Sequence, residues 1–276
     1  MRKMALVLFV AAAMGTAGCG GKKQELTLKG SDTMLQVGQS WAEKFQQEHP
    51  GMQVSVTGGG SGTGISALIN RHAAIAMSSR KIKDDEIALA PANSKPKEFV
   101  VGQDGIAVVV NNSNPLSELT MEQLRKIFTG EVKNWNQVGG PDRGIVILSR
   151  ETSSGTYIFF REHVLANKDY AANALLMPST ALLVNTAASN ESAIGYSGLA
   201  YAEEADVKII GVKKNAGSPA VVPCAETIRD GSYPISRPLL LYTLGEPSGD
   251  ARAFIDFAMG GEGQKILKEV GYIPLK

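Results

Sequence analysis

Cysteine is nearly absent from this chain of 276 residues, which has only Cys19 and Cys224. A disulfide framework is therefore excluded, and stability has to come from an apolar core. Histidine is almost as scarce. His49, His72 and His163 stand far apart with no His-Glu-x-x-His pair, which argues against a dedicated transition-metal site. An excess of either charge is missing too: 28 basic residues face 27 acidic ones, and the basic residues are scattered. Nothing in that balance suggests nucleic acid as a partner. Past the N-terminus, no hydrophobic segment is long and uncharged enough to cross a bilayer. There is no Gly-x-Ser-x-Gly elbow and no Gly-Lys-Ser/Thr phosphate loop. Ser78-Ser-Arg-Lys81 provides a Ser-x-x-Lys, but without the partner motifs of a serine acyl enzyme.

The N-terminus reads as an export leader. Arg2 and Lys3 precede an apolar stretch, Met4 to Met14, that is too short to span a membrane. Thr16-Ala-Gly-Cys19 follows and resembles a bacterial lipoprotein cleavage box, with Thr16 at the usual aliphatic position. On this reading residues 1–18 are a signal peptide, Cys19 carries the lipid, and residues 19–24 are a short polar tether. An ordinary signal peptide is the alternative. Arg2 and Lys3 are the only charges in the leader, so the remainder has 26 basic against 27 acidic residues. Cys224 is then the one free thiol, expected to be buried and inert.

Strand and helix patterns alternate along the rest. Leu26–Leu28 reads as a strand, and Met34, Val37, Trp41 and Phe45 mark a helical face. Met52, Val54 and Val56 alternate as a strand ahead of Ile65, Leu68 and Ile69 on a helix. Phe99–Val101 and Ile106–Val110 read as two buried strands. Thr120-Met-Glu-Gln123 fits a capping box, with Gly130 as the stop. Ile145–Leu148, Ser192–Tyr196, Val207–Val212 and Pro238–Leu244 read as further strands. The alternation implies an α/β fold with largely parallel sheets.

Three runs of Ser, Thr and Gly stand out: Gly30-Ser-Asp-Thr33, Ser61-Gly-Thr-Gly64 and Ser153-Ser-Gly-Thr156. Each leads into helical spacing. A helix start offers unpaired N–H groups and a partial positive charge, and glycines and hydroxyls let an anion approach closely. One such run is an ordinary cap and turn. Three, with Arg150 just ahead of the third, point to one small oxyanion held from several sides. Gly62-Thr-Gly-Ile-Ser-Ala67 also satisfies a Gly-x-Gly-x-x-Ala pattern, but a dinucleotide cofactor fits poorly with export.

These runs, with Met77-Ser-Ser-Arg80, Leu119-Thr-Met-Glu-Gln-Leu-Arg-Lys-Ile-Phe-Thr-Gly130, Asn134-Trp-Asn136, Ala193-Ile-Gly-Tyr196 and Gly231-Ser-Tyr-Pro-Ile-Ser-Arg-Pro238, resemble the substrate-binding proteins of bacterial phosphate-specific ABC transporters. The resemblance covers essentially the whole chain after the leader. It implies a two-lobed periplasmic-binding clamshell of type II, its α/β lobes joined by two crossing strands. Lobe one is expected at residues 25–104 plus 236–276, and lobe two at 105–235.

The resemblance also implies a site. Ser31, Thr33 and the amide of Met34 would hold phosphate from the first loop, and Ser61 and Gly62 from the second. Arg150, Ser154, Gly155 and Thr156 would close on it from the other lobe. Ser79 stands where several members have an aspartate that accepts a proton from phosphate, and Thr152 replaces an aspartate that pairs with the arginine. Asp32 or Asp104 is a candidate to supply the missing carboxylate. The expected partners are inorganic phosphate, an ABC permease and a membrane reached through a lipid on Cys19, with no cofactor. A receptor for sulfate, molybdate or tungstate, or a secreted phosphomonoesterase, are the alternatives.

Overall fold

The computed structural model describes residues 25–275; the leader, Cys19 and the tether lie outside them. In chain order the elements are β1 (Glu25–Gly30), α1 (Leu35–Glu48), β2 (Gln53–Thr57), α2 (Ser61–Ile69), β3 (Ile75–Ser78), α3 (Asp84–Ala88) and β4 (Pro96–Val110). Then come β5 (Glu118–Thr120), α4 (Met121–Phe128), β6 (Val146–Arg150), α5 (Gly155–His163), β7 (Leu175–Met177), α6 (Thr180–Ser189) and β8 (Ala193–Gly198). The chain ends with α7 (Leu199–Glu204), β9 (Lys208–Lys213), α8 (Ala225–Arg229), β10 (Ser236–Leu244), α9 (Gly249–Met259) and α10 (Gly261–Glu269). Among these described residues no helix is long and apolar enough to cross a membrane.

The strands follow the order β2-β1-β3-β10-β4-β8-β6-β7, with β9 beside β4 and β5. The sheet is mixed rather than largely parallel. β1 runs parallel to β2 and β3, and β6 runs parallel to β7 and β8. Between these two parallel groups, β10 and β4 run antiparallel to each other and to their other neighbours. They differ because they are the strands that carry the chain from one group to the other and back.

The two runs read as separate strands, at 99–101 and 106–110, are one. β4 pairs with β10 through Gly105 and then, from Ile106, with β8. A register shift between Leu239 and Leu240 leaves Val101 as the extra residue on β4, ahead of the point where β4 changes partner. Alternation of apolar residues breaks at Gly102, Gln103, Asp104 and Gly105, so the pattern reads as a gap. The backbone ladder does not depend on it.

Each group of strands has its own core. Val37, Trp41 and Phe45, spaced by four, form the buried face of α1 and pack with Leu28, Met77, Val101, Leu239 and Phe254. The second core holds Ile106, Phe128, Trp135, Phe160, Tyr196 and Ile235. The cap of α4 is reciprocal: the Gln123 amide donates to Thr120 Oγ1 at 3.0 Å, and the Thr120 amide donates to Gln123 Oε1 at 2.8 Å. Gly130 ends that helix at a φ of +79°. Cys224 departs from expectation. It is exposed, because it sits at the N-terminal edge of short α8 rather than on a core face.

Candidate functional site

The three Ser/Thr/Gly runs meet where the two halves face each other. β1 delivers Ser31 to a single helical turn, Asp32–Met34, in which the Met34 amide donates to the Ser31 carbonyl at 3.0 Å. β2 delivers Gly58–Gly60, and α2 starts at Ser61. β6 ends at Arg150, and Ser154 caps α5, its Oγ accepting from the amides of Thr156 and Tyr157. Strand ends thus aim helix starts, with their partial positive charge, at one place.

Six hydroxyls gather there, and all of them are buried: Ser31, Thr33, Ser61, Ser79, Ser154 and Thr156. Ser31 Oγ donates to Ser79 Oγ at 2.9 Å, and Ser79 Oγ lies 3.4 Å from Ser61 Oγ. The Ser79 amide donates to Ser61 Oγ at 3.1 Å. Across the cleft, Thr33 Oγ1 and Thr156 Oγ1 share a hydrogen bond of 3.0 Å, and the Gly62 amide donates to the Ser153 carbonyl at 3.0 Å. The approach is close enough to require glycine. A Cβ on Gly155 would lie 2.2 Å from Ser61 Oγ and 2.8 Å from Ser79 Oγ, and one on Gly60 would lie 2.5 Å from the Ser153 carbonyl oxygen.

Arg150 is buried at this junction, at the end of β6. Its Nε donates to the Met177 carbonyl and its Nη1 to Thr180 Oγ1. Its Nη2 donates to the Pro178 carbonyl and to Asp32 Oδ2, the last at 2.7 Å. Four of its five N–H groups are thereby engaged within the protein. The same carboxylate accepts from the Gly59 amide at 2.9 Å, so Asp32 joins the first two loops to the far half.

Sequence reasoning assigned no role to Arg237, and named Asp104 only as a candidate carboxylate. Both side chains are fully buried beside the hydroxyls. Arg237 donates from Nε and Nη2 to Asp104 Oδ2, from Nη2 to Thr33 Oγ1 at 3.2 Å and from Nη1 to the Ser79 carbonyl at 3.0 Å. Asp104 Oδ1 accepts from the Leu199 amide. Burial pushes the Asp104 carboxyl up from its ordinary value, and the charge and hydrogen bonds of Arg237 oppose that shift. Neither Asp32 nor Asp104 hydrogen-bonds to the Ser31–Ser61–Ser79 cluster. The signal for Arg237 was an arginine inside an otherwise apolar strand, Ser-Arg-Pro-Leu-Leu-Leu.

A buried set of hydroxyls and amides, drawn from both halves and flanked by two guanidinium groups, can surround a small oxyanion.

The architecture and the site define an α/β binding protein of two halves with the site between them. The PBP superfamily domain matches residues 15–262, and the chain belongs to that superfamily. It is 35% identical to the phosphate-binding protein PstS of Staphylococcus haemolyticus over 259 residues, 91% of this chain and 81% of that one. Against PstS of Pseudomonas aeruginosa the identity is 29% over 306 residues, covering 99% and 94%. Among solved structures, a Clostridium perfringens substrate-binding protein assigned to phosphate ABC transport, with bound phosphate, is 30% identical. It superposes with a TM-score of 0.82 over 92% of this chain and all of that one. An ABC-type phosphate transport receptor from Vibrio cholerae, 33% identical, gives 0.73 over 90% and 99%.

Proposed function

We infer that this chain is an extracytoplasmic receptor that binds inorganic phosphate between its two halves and delivers it to an ABC permease. The observation that carries this is the convergence of three helix starts and six buried hydroxyls, from both halves, on one point. Ser31, Thr33, the amide of Met34, Ser61, Gly62, Ser79, Ser154, Gly155 and Thr156 are the ligand set of this reading, with Arg150 beside them; the Met34 and Gly62 amides, which donate to the Ser31 and Ser153 carbonyls here, would have to turn to the ligand. Each hydrogen bond to a charged group contributes roughly 1.5–3 kcal/mol net, and micromolar binding needs about 8 kcal/mol. Several such bonds suffice without a metal.

On this reading the lobes divide at 25–104 plus 236–276 and at 105–235. The placing of Val101 and Leu239 in one core, and of Ile106 and Ile235 in the other, supports that division. Cys19 would carry a lipid that holds the receptor to the outer side of a membrane. Replacing Cys19 with Ala would release the protein from membranes; a Cys19→Ala chain that stays membrane-bound would end the anchor reading.

Calorimetric titration of the ligand-free protein with phosphate, sulfate, molybdate and tungstate tests the function. Phosphate is expected to bind most tightly. A second reading, a receptor for another tetrahedral oxyanion, gains support from the two aspartates being bonded elsewhere, since sulfate needs no proton acceptor. The protein is expected not to hydrolyse a chromogenic phosphate ester, and turnover would revive the phosphomonoesterase reading.

A further inference from the structure

Next to the hydroxyl site, sharing Arg237 with it, lies a cavity of about 330 Å³ that nothing in the receptor reading uses. Its walls come from both halves and from the strand that joins them: residues 80–83 after β3, one side of α5, and the start of β10. A ligand seated here would touch both cores' elements at once.

The chemistry of the walls is specific. Arg80 and Arg237 are buried, each with a carboxylate partner in Glu86 and Asp104. The Nε–H of Arg80 nevertheless has no hydrogen-bond partner among the described residues. A buried guanidinium N–H without an acceptor is costly and marks a place where an acceptor is wanted. Lys81 and Lys83 add two cations, neither of them in an ion pair among the described residues. Glu162 is the single carboxylate lining the cavity. The other wall is aromatic. The Phe159 ring stacks on His163 with centroids 3.9 Å apart, and the Arg237 guanidinium lies 5.7 Å from the Phe159 centroid. His163 is exposed, so the outer face of that stack is open to another ring.

We propose that this cavity binds a small aromatic anion, an arene bearing a carboxylate, sulfonate or phosphate. The anionic group meets Lys81, Lys83 and Arg80, and the ring lies against His163. Because the walls belong to both halves, the occupied cavity favours the closed arrangement. Binding there and binding between the hydroxyls then strengthen each other by the same factor. The coupling rests on the receptor reading above; the cavity's own binding does not.

The probe is naphthalene-1-sulfonate, followed by its fluorescence in the full-length protein with and without saturating inorganic phosphate. Saturable one-to-one binding is expected, tighter with phosphate present. Lys81→Ala/Lys83→Ala should weaken the probe by about tenfold, the loss of one to two charged hydrogen bonds, with phosphate affinity unchanged when the probe is absent. Lys81 is exposed and Lys83 half-buried, and neither is in an ion pair among the described residues, so the variant should fold like the parent. Three results overturn the proposal: no saturable binding, displacement of the probe by phosphate, or equal binding to parent and variant. If phosphate itself fails to bind, the receptor reading falls, and the probe's response to the two lysine changes still decides the cavity.

Discussion

Arg150 donates to Asp32 Oδ2 at 2.7 Å, a buried ion pair between the two halves of the molecule. Asp32 belongs to the first loop and Arg150 ends β6, 118 positions away. The family resemblance implies a carboxylate partner in the arginine's own loop, where this chain has Thr152; here the carboxylate paired with Arg150 is that of Asp32. The arginine thus links the two halves, in addition to the anion-binding role proposed for it.

That double role separates experimentally. Arg150→Ala should weaken phosphate binding by about 2–4 kcal/mol, since a charged partner is lost from a desolvated site. It should also lower stability, because the half-buried Asp32 is left without its charged partner. Adding Asp32→Asn should recover stability without recovering phosphate affinity. Thermal melts and phosphate titrations of the three variants check this, and full recovery of affinity in the double variant would reduce Arg150 to a latch.

Ser79 sets the second expectation. Its hydroxyl faces Ser31 and Ser61, and among the described residues no carboxylate hydrogen-bonds to that cluster. A hydroxyl can accept a hydrogen bond from a protonated oxygen or donate one to a bare oxygen, so phosphate and sulfate should be separated only modestly. The ratio should change little between about pH 6 and 8. Ser79→Asp should widen the ratio by adding an acceptor that repels sulfate. Competition titrations at both pH values decide it.

Gly155 sits against the Ser61 and Ser79 hydroxyls with no room for a side chain. Gly155→Ala should therefore hold the halves apart, because the added methyl would also lie 2.8 Å from Ser61 Cβ of the opposite half, which cannot rotate away as the two hydroxyls can. Phosphate affinity should fall by at least about tenfold. Scattering should show less compaction on adding phosphate than in the parent. The melting temperature of the ligand-free protein should move little.

The fourth expectation concerns pH. Burial raises the Glu86 carboxyl, but the hydrogen bond from Arg80, the Lys83 amide and the charge of Arg80 outweigh it, leaving Glu86 below its ordinary value of 4.5. A lowered carboxyl contributes stability above the unfolded value, and that contribution is lost as pH falls through the folded one. Glu86→Gln should thus cost stability at pH 7. The gap between parent and variant should close as the pH is taken below about 4.5 and on through the lowered value. Urea unfolding at neutral and acid pH measures this, and a gap that is constant with pH would show that the pair contributes no charge interaction.

Much of the molecule is written in short stretches of the chain. The spacing of Val37, Trp41 and Phe45 determines a helix with one buried face, and Thr120 with Gln123 determines where α4 starts. The three Ser/Thr/Gly runs could be read as helix starts fit for an anion, because caps and glycine turns are local geometry. Other features depend on residues that meet only after folding. Two strands became one because β4 exchanges β10 for β8 at Gly105, a matter of ladder partners and not of side-chain pattern. Cys224 is exposed because its helix is short and lies at the surface. Arg237 and Asp104, separated by 133 positions, pair because both are carried inside on the strands that cross between the halves. A buried charge needs an opposite charge close by, and only the packed sheet determines which one is within reach.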